Sequence, residues 1–416
     1  MAPSTAFLAF LLPTLIHALN TQSPITLLLP PPLRPDQTCI SPLTPDDLTP
    51  WTHPPYCLKP RSIGSSDTYC VYTSSVFNNG AGISIITTPP VAAALGSSIL
   101  DPQPASLTRQ HLATAGHLTP SQDAQNPYKI VSLPGKGKGA IATRNIRKFD
   151  IIMVSYPNMV VDNTFLPRQE DEAPVEGWRM FQKALDQLGD KRRFTNLAGS
   201  REGVHVVEDV VRTNAFGVHV DGRDLKALFP EISRFNHACK PNTHPQYRSR
   251  DMAMTAVATR DIDEGEEITI SYLPLGMPSF HRKANLVNWG FDCTCDLCTS
   301  SPEELHASDM RREKLADLYF GMKEDSVTHQ QLGEMIREFD SVVEQEGLET
   351  RNGEYYISFM HFYHKFGDLD NALKYAKLSL QTSEAFADPD GNFCEGLRQD
   401  IDFLEKEIAK KRGTTK

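Results

Sequence analysis

From Tyr128 onward the apolar positions come in short runs rich in Val and Ile, broken by Gly, Asn and Asp. Examples are Lys129-Ile130-Val131, Ile151-Ile152-Met153-Val154 and Met254-Thr255-Ala256-Val257. Runs of this length and composition predict strands. Between them Trp178, Phe181, Leu185 and Leu188 recur at helical spacing, which predicts a helical insertion in the sheet. After Ser301 the apolar period changes to about 3.6 residues, and helices are expected over 310–322, 332–345, 355–365, 370–380 and 395–410. Residues 1 to about 120 carry no such period; Pro24, Pro30, Pro31, Pro32, Pro35, Pro42 and Pro45 crowd their first part. The expected class is α+β, in three parts: a Pro-rich segment over 1–120, a β-rich domain over 128–300 and a helical domain over 301–412. The first part is expected to be poorly ordered or separately folded.

Composition adds partners and compartment to this picture. A chain of 416 residues with 40% hydrophobic content has room for two or three domains with buried cores. Its net charge of −10 argues against sequence-independent grip on nucleic-acid phosphates. From 301 to 416 there are 24 Asp and Glu against 15 Lys and Arg, so this part carries −9 of the −10. A basic protein substrate or partner fits that surface, and so does a merely solvated acidic helical face. At the other end, the apolar run from Ala6 to Ile16 resembles a secretory signal, but no Lys or Arg precedes it and Pro13 interrupts it. It is too short to span a bilayer as a helix. Cys39, Cys57 and Cys70 could pair in an oxidising lumen, with one thiol left over for Cys394 or a partner. Two readings stay open: a cleaved signal with a mature start near Leu19 and at least one disulfide, or an intact start with three free thiols. The sequence leans to the second.

Candidate chemistry concentrates between 234 and 298. The segment opens Arg234-Phe235-Asn236-His237-Ala238-Cys239-Lys240-Pro241-Asn242, continues through Gly265-Glu266-Glu267-Ile268-Thr269-Ile270-Ser271-Tyr272, and closes Phe291-Asp292-Cys293-Thr294-Cys295-Asp296-Leu297-Cys298. Thiolates two and three positions apart can hold one Zn2+ from a single tight loop, but three ligands leave a tetrahedral site incomplete. Cys239 can supply the fourth. About a hundred residues upstream, Gly135-Lys136-Gly137-Lys138-Gly139 offers a loop where backbone can approach a ligand closely. It lacks the helix and acidic residue of a dinucleotide fingerprint and the Lys-Ser/Thr of a phosphate loop.

These motifs, in this order, resemble the SET-domain protein lysine methyltransferases, over about 128–298 and more weakly to 410. The resemblance implies an S-adenosylmethionine-dependent transfer of a methyl group to a lysine of a protein, a histone or another. It implies that Tyr272 is catalytic, and that Lys136, Gly137, Lys138 and Gly139, with Asn214, Asn236, His237 and Phe291, bind the cofactor. His237 would act largely through its backbone, and Phe291 would lie against the adenine. Structural zinc would sit on Cys239, Cys293, Cys295 and Cys298. Relatives of the SMYD type carry a C-terminal helical domain of the kind expected here. Their MYND zinc module has no counterpart, since no Cys lies between Cys70 and Cys239. The stretch Tyr363, Gly367, Asp368, Leu369, Ala372, Ala376 and Leu380 resembles part of a tetratricopeptide repeat, in a single unit. Direct nucleic-acid binding and a transmembrane segment are not expected. Two rivals stand beside the enzyme: a silent SET domain that binds partners, and a secreted SET scaffold without methyl transfer.

Overall fold

The computed structural model describes residues 48–58, 67–100, 126–166, 175–197, 199, 205–220, 222–249 and 251–413. The apolar run at the start, most of the Pro-rich region and Cys39 lie outside the described residues. Among the described residues no helix is long and apolar enough to cross a membrane.

Among the described residues thirteen strands form three sheets. The largest has the order β1-β2-β3-β7-β9-β8, from Tyr56–Leu58, Tyr69–Ser74, Ile83–Thr87, Met159–Asp162, Arg223–Leu228 and Phe216–Val220. Every residue of β2, β3 and β7 is buried. That is why they read as unbroken apolar or small-residue runs rather than as an alternation. One face carries helix α2 (Val175–Gln187), which buries Met180, Phe181, Ala184 and Leu185 against Tyr69, Val71 and Ile86. Trp178 of the expected apolar stripe is only half-buried, and its Nε1 donates to Glu208 Oε2 at 3.2 Å.

Residues 56–58 and 67–87 depart from the sequence reading. β3 pairs in parallel with β7, Ser84 to Met159 and Ile86 to Val161, so this stretch is built into the β-rich region rather than set apart. Its strands are short and embedded in Pro-rich surroundings, and only the long-range pairing reveals their place. Cys57 and Cys70 face each other across β1 and β2 and are joined by a disulfide, where the sequence leaned to free thiols.

The two smaller sheets position the site. One is β10-β13-β5-β4, from Asn236–His237, Glu267–Ile270, Gly137–Ala142 and Tyr128–Leu133. The other is β11-β12-β6, from Thr243–Arg248, Ala253–Ala258 and Ile151–Ser155. A bulge at Ala256/Val257 shifts the β12–β6 register.

Beyond the sheets come α4 (Ser279–Leu286) and five long helices: α5 (Pro302–Gly321), α6 (His329–Glu346), α7 (Asn352–Lys365), α8 (Leu369–Phe386) and α9 (Asn392–Gly413). Earlier helices are α1 (Pro89–Leu100) and α3 (Val206–Asn214). Helix α5 starts eight residues before its expected apolar stripe because its first turn is polar. Ser301 Oγ accepts from Glu304 N–H, Pro302 follows the cap, and Glu303 and Glu304 meet the positive end of the helix. Thr328 and Gln331 form a reciprocal capping box on α6. The helical core joins Leu332, Ile336, Phe339, Val343, Phe359, Ala372 and Leu404, with the Phe339 and Phe359 rings edge to face at 5.4 Å. The helices dock on β11 and the residue after it: Gln246 Nε2 donates to the main-chain Glu384 O at 3.0 Å, and Ser249 N donates to the side-chain Asp388 Oδ2 at 3.0 Å.

Phe359 is fully buried where three helices meet, so Phe359→Ala should cost about 3–5 kcal/mol, a lost transfer term plus a cavity. Urea unfolding followed at a helical signal checks this; a midpoint equal to the parent's would show that the cluster does not hold the helices.

Candidate active site

The hairpin of β4 and β5 turns at Gly135 and Gly137, both at φ +71°, a left-handed conformation that favours glycine. Gly139 serves differently. A Cβ there would lie 2.4 Å from Leu133 Cδ1 and 2.7 Å from Asn236 Nδ2, so its bare backbone lets Asn236 close over the hairpin. Asn236 Nδ2 donates to Glu267 Oε1 at 2.9 Å, and Lys136 Nζ reaches Glu267 Oε2 at 2.8 Å. Lys138 is exposed and pairs through its backbone with Ser132. Glu267 thus gathers two residues assigned to cofactor binding, although it carried no such assignment itself. Nothing in the spacing of Lys136, Asn236 and Glu267 announces that contact.

Strand β10 is two residues long and pairs in parallel with β13, Asn236 with Thr269 and His237 with Ile270. Asn242 fixes the loop that follows. Its Nδ2 donates to Glu266 Oε1 and Glu267 O, and its Oδ1 accepts from Thr269 N–H at 2.9 Å. Cys239 is thereby aimed at the C-terminal cysteine loop.

His237 joins the two halves of the site with its side chain, where the resemblance implied chiefly its backbone. Its Nδ1 accepts from Tyr272 N–H at 3.0 Å, and its Nε2 lies 3.4 Å from Cys239 Sγ. Burial lowers its pKa to about 4, Cys295 opposing and Arg282 adding to the shift. A neutral ring that accepts at Nδ1 carries its proton at Nε2, so the network assigns that N–H to the Cys239 sulfur.

Tyr272 lies at the end of β13. Its hydroxyl donates to Phe235 O at 3.0 Å, and its ring is surrounded by His237, Trp289 and Phe291 at centroid separations of 5.4, 5.9 and 6.2 Å. Burial, with Glu267 adding, pushes its pKa up to about 12, so the phenol stays protonated at neutral pH. Trp289 was near the motifs in sequence but carried no assignment; the wall it forms comes from the turn at Gly290, at φ +74°. Asn214 is placed at the end of α3, where its Nδ2 donates to Val210 O at 2.9 Å and its carbonyl accepts from Ser233 Oγ. It therefore touches the segment leading into Phe235.

Cys239, Cys293, Cys295 and Cys298 bring four sulfurs within 4.8 Å of one another. Cys239 Sγ lies 3.4 Å from Cys298 Sγ and 3.9 Å from Cys293 Sγ, and Cys239 N–H points to Cys295 Sγ at 3.5 Å. Sulfurs on a tetrahedral zinc, with Zn–S near ~2.3 Å, stand about 3.8 Å apart, so the donor set and its spacing fit that metal. The neighbouring thiols lower the Cys295 pKa and raise that of Cys239. Four sulfurs this close can all ionise only around a cation.

Residues 137–273 match the SET domain model. The chain carries a SET domain. Its relatives include the histone-lysine N-methyltransferase set5 of Schizosaccharomyces pombe, 28% identical over 191 residues that make up 45% of this chain and 56% of that protein. They also include the N-lysine methyltransferase SMYD2-B of Danio rerio, 30% identical over 172 residues, 41% of this chain and 35% of that protein. The potential protein lysine methyltransferase SET6 of Saccharomyces cerevisiae is 36% identical over 102 residues, 22% of this chain and 27% of that protein. The matches thus span between about a quarter and just over half of these relatives.

The cluster, one cysteine from the SET domain and three from the loop beyond it, is expected to hold one zinc per chain, with Zn–S near ~2.3 Å in X-ray absorption. Cys293→Ser should lower the zinc content, and because Phe291 precedes the same loop it should also loosen the packing around Tyr272. Metal analysis and the near-ultraviolet signal of the aromatic cluster check the two effects; loss of metal with unchanged aromatic packing would separate the loop from the site.

Proposed function

We propose that the chain is an S-adenosylmethionine-dependent protein-lysine N-methyltransferase. The observation that carries this reading is the state of Tyr272. Its one hydroxyl proton is directed to Phe235 O, so what the oxygen can offer a substrate is a lone pair. A lone pair in that position accepts a hydrogen bond from an amine and orients the nitrogen for in-line attack. The phenol, pushed to about 12, does not itself take the proton.

S-adenosylmethionine would supply the methyl group and a sulfonium that disfavours a charged amine beside it. Lys136, Gly137, Lys138, Gly139, Asn214, Asn236, His237 and Phe291 would hold it. A lysine at its reference pKa of ~10.4 is almost fully protonated at neutral pH, and the aromatic wall of Trp289, Phe291 and Tyr272 disfavours that charge by excluding water. Positioning and desolvation together are what these side chains contribute. The names of the set5 and SMYD2-B relatives support a lysine of a protein as acceptor, with a histone one candidate. The acidic helical region suits a basic substrate.

A second reading, a secreted SET scaffold without methyl transfer, draws on the Cys57–Cys70 disulfide and the apolar start of the chain. Incubation of the purified chain with labelled cofactor and a protein extract separates the two, since only the enzyme labels protein lysines.

Tyr272→Phe should lower turnover by about 10²-fold or more while cofactor affinity stays near the parent's. Turnover equal to the parent's would remove Tyr272 from its role; a matching fall in cofactor affinity would assign it to binding instead.

A further inference from the structure

Two arginines of the helices that follow the sheets have no place in the proposed chemistry and are nearly inaccessible: Arg282 is 3% exposed and Arg312 is 4% exposed. Arg282 stands on α4 and Arg312 on α5, yet both donate to one carbonyl. Arg282 Nη1 reaches Met277 O at 2.6 Å, and Arg312 Nη1 reaches it at 3.3 Å. Two buried guanidiniums are therefore held side by side, an arrangement that repels unless negative charge lies close by.

The carboxylates in contact do not balance them. Glu346, fully buried, accepts from Arg312 Nε at 2.8 Å, but it also serves Arg311 Nε at 2.7 Å and lies 3.7 Å from Lys240 Nζ. Asp309 lies 3.8 Å from Arg282 Nη1 and is itself engaged by Ser279. Four cations, Arg282, Arg311, Arg312 and Lys240, thus meet two carboxylates in these contacts. Moreover Nε and Nη2 of Arg282 and Nη2 of Arg312 are buried without a hydrogen-bond partner among the described residues. Leaving such donors unmatched is costly unless a diffuse negative charge faces them.

The cysteine cluster offers that charge. Lys240 directly follows Cys239 and shares Glu346 with Arg312, which ties the arginine pair to the segment that carries Cys239. Four thiolates around one divalent cation carry a net charge of about −2. Two guanidiniums are its complement.

We propose that Arg282 and Arg312 form a cationic outer shell that holds the four cysteines as metal-bound thiolates and ties the metal to the helical region. The proposal rests on the zinc reading of the cluster. It assigns the charge, rather than the clasp on Met277 O, as the property that matters. Outer-shell groups of this kind typically change metal affinity about 10–100-fold when removed.

The test is metal affinity in the full chain, read by competition with a chromophoric chelator for Zn2+ and by the thiolate-to-metal absorption of Co2+. Arg282→Gln keeps a donor for Met277 O and loses the charge; it should weaken affinity about 10-fold or more, and Arg282→Lys should restore most of it. Gln and Lys variants equally weak, or both equal to the parent, would overturn the proposal. Glu346→Gln tests the opposite sign in a second variant, because removing a carboxylate leaves more positive charge at the cluster: affinity should rise, and an unchanged or lower value would overturn the proposal even where Arg282→Gln fails to fold. A parent chain that binds neither metal would overturn the zinc reading itself, a result distinct from metal bound with no dependence on the arginines.

Discussion

His237 can accept the Tyr272 N–H at Nδ1 and face the Cys239 sulfur through Nε2 only while its ring carries a single proton, and burial keeps it in that state. Much of the site follows from this bridge. Tyr272 is fixed by its backbone N–H at one point and by its hydroxyl on Phe235 O at another, so its ring has little freedom to turn. Cys239, held on the far side of the same imidazole, meets three sulfurs from a loop more than fifty residues later. Order at the tyrosine and order at the sulfurs are therefore coupled through one neutral ring.

The sequence shows the parts of this arrangement that are local. Cys293, Cys295 and Cys298 are readable because metal chelation imposes a short spacing, and the Gly-rich hairpin because turn geometry imposes residue types. The helices after Ser301 are readable from their apolar period, but their starts are not, since caps such as Ser301 and Thr328 lie outside the apolar stripe. What could not be read is set by tertiary contact. Glu267 looks like an ordinary strand residue until Lys136, 131 residues away, and Asn236, 31 residues away, arrive at its two oxygens. Residues 67–87 look separate until β3 meets β7. Trp289 looks like core until Gly290 turns the chain and Phe291 closes the other side of Tyr272.

The helical region is fastened to the SET domain by contacts that carry little sequence signature. Carbonyl oxygens at the end of α8 and beyond it receive the Gln246 amide, Asp388 receives Ser249, and the carbonyls of Leu275 and Met277 receive guanidiniums from Arg351 and Arg312. Apart from the Asp388 carboxylate these are main-chain acceptors, which fix position without specifying the acceptor's side chain. The segment from Leu273 to Pro278, which follows Tyr272 directly, is thus held from the helical side by arginines and from the sheet side by β13.

Strand β10 consists of Asn236 and His237 alone, and neighbouring residues of a strand point to opposite faces. Asn236 faces the glycine hairpin and Glu267, while His237 faces Tyr272 and the sulfurs. A dipeptide therefore acts as a dividing wall with two differently furnished rooms, a polar one against the glycine hairpin and a sulfur-lined one beside Tyr272. Register is the only thing that assigns each side chain to its room, and a slip of one residue would exchange the furnishings of both at once.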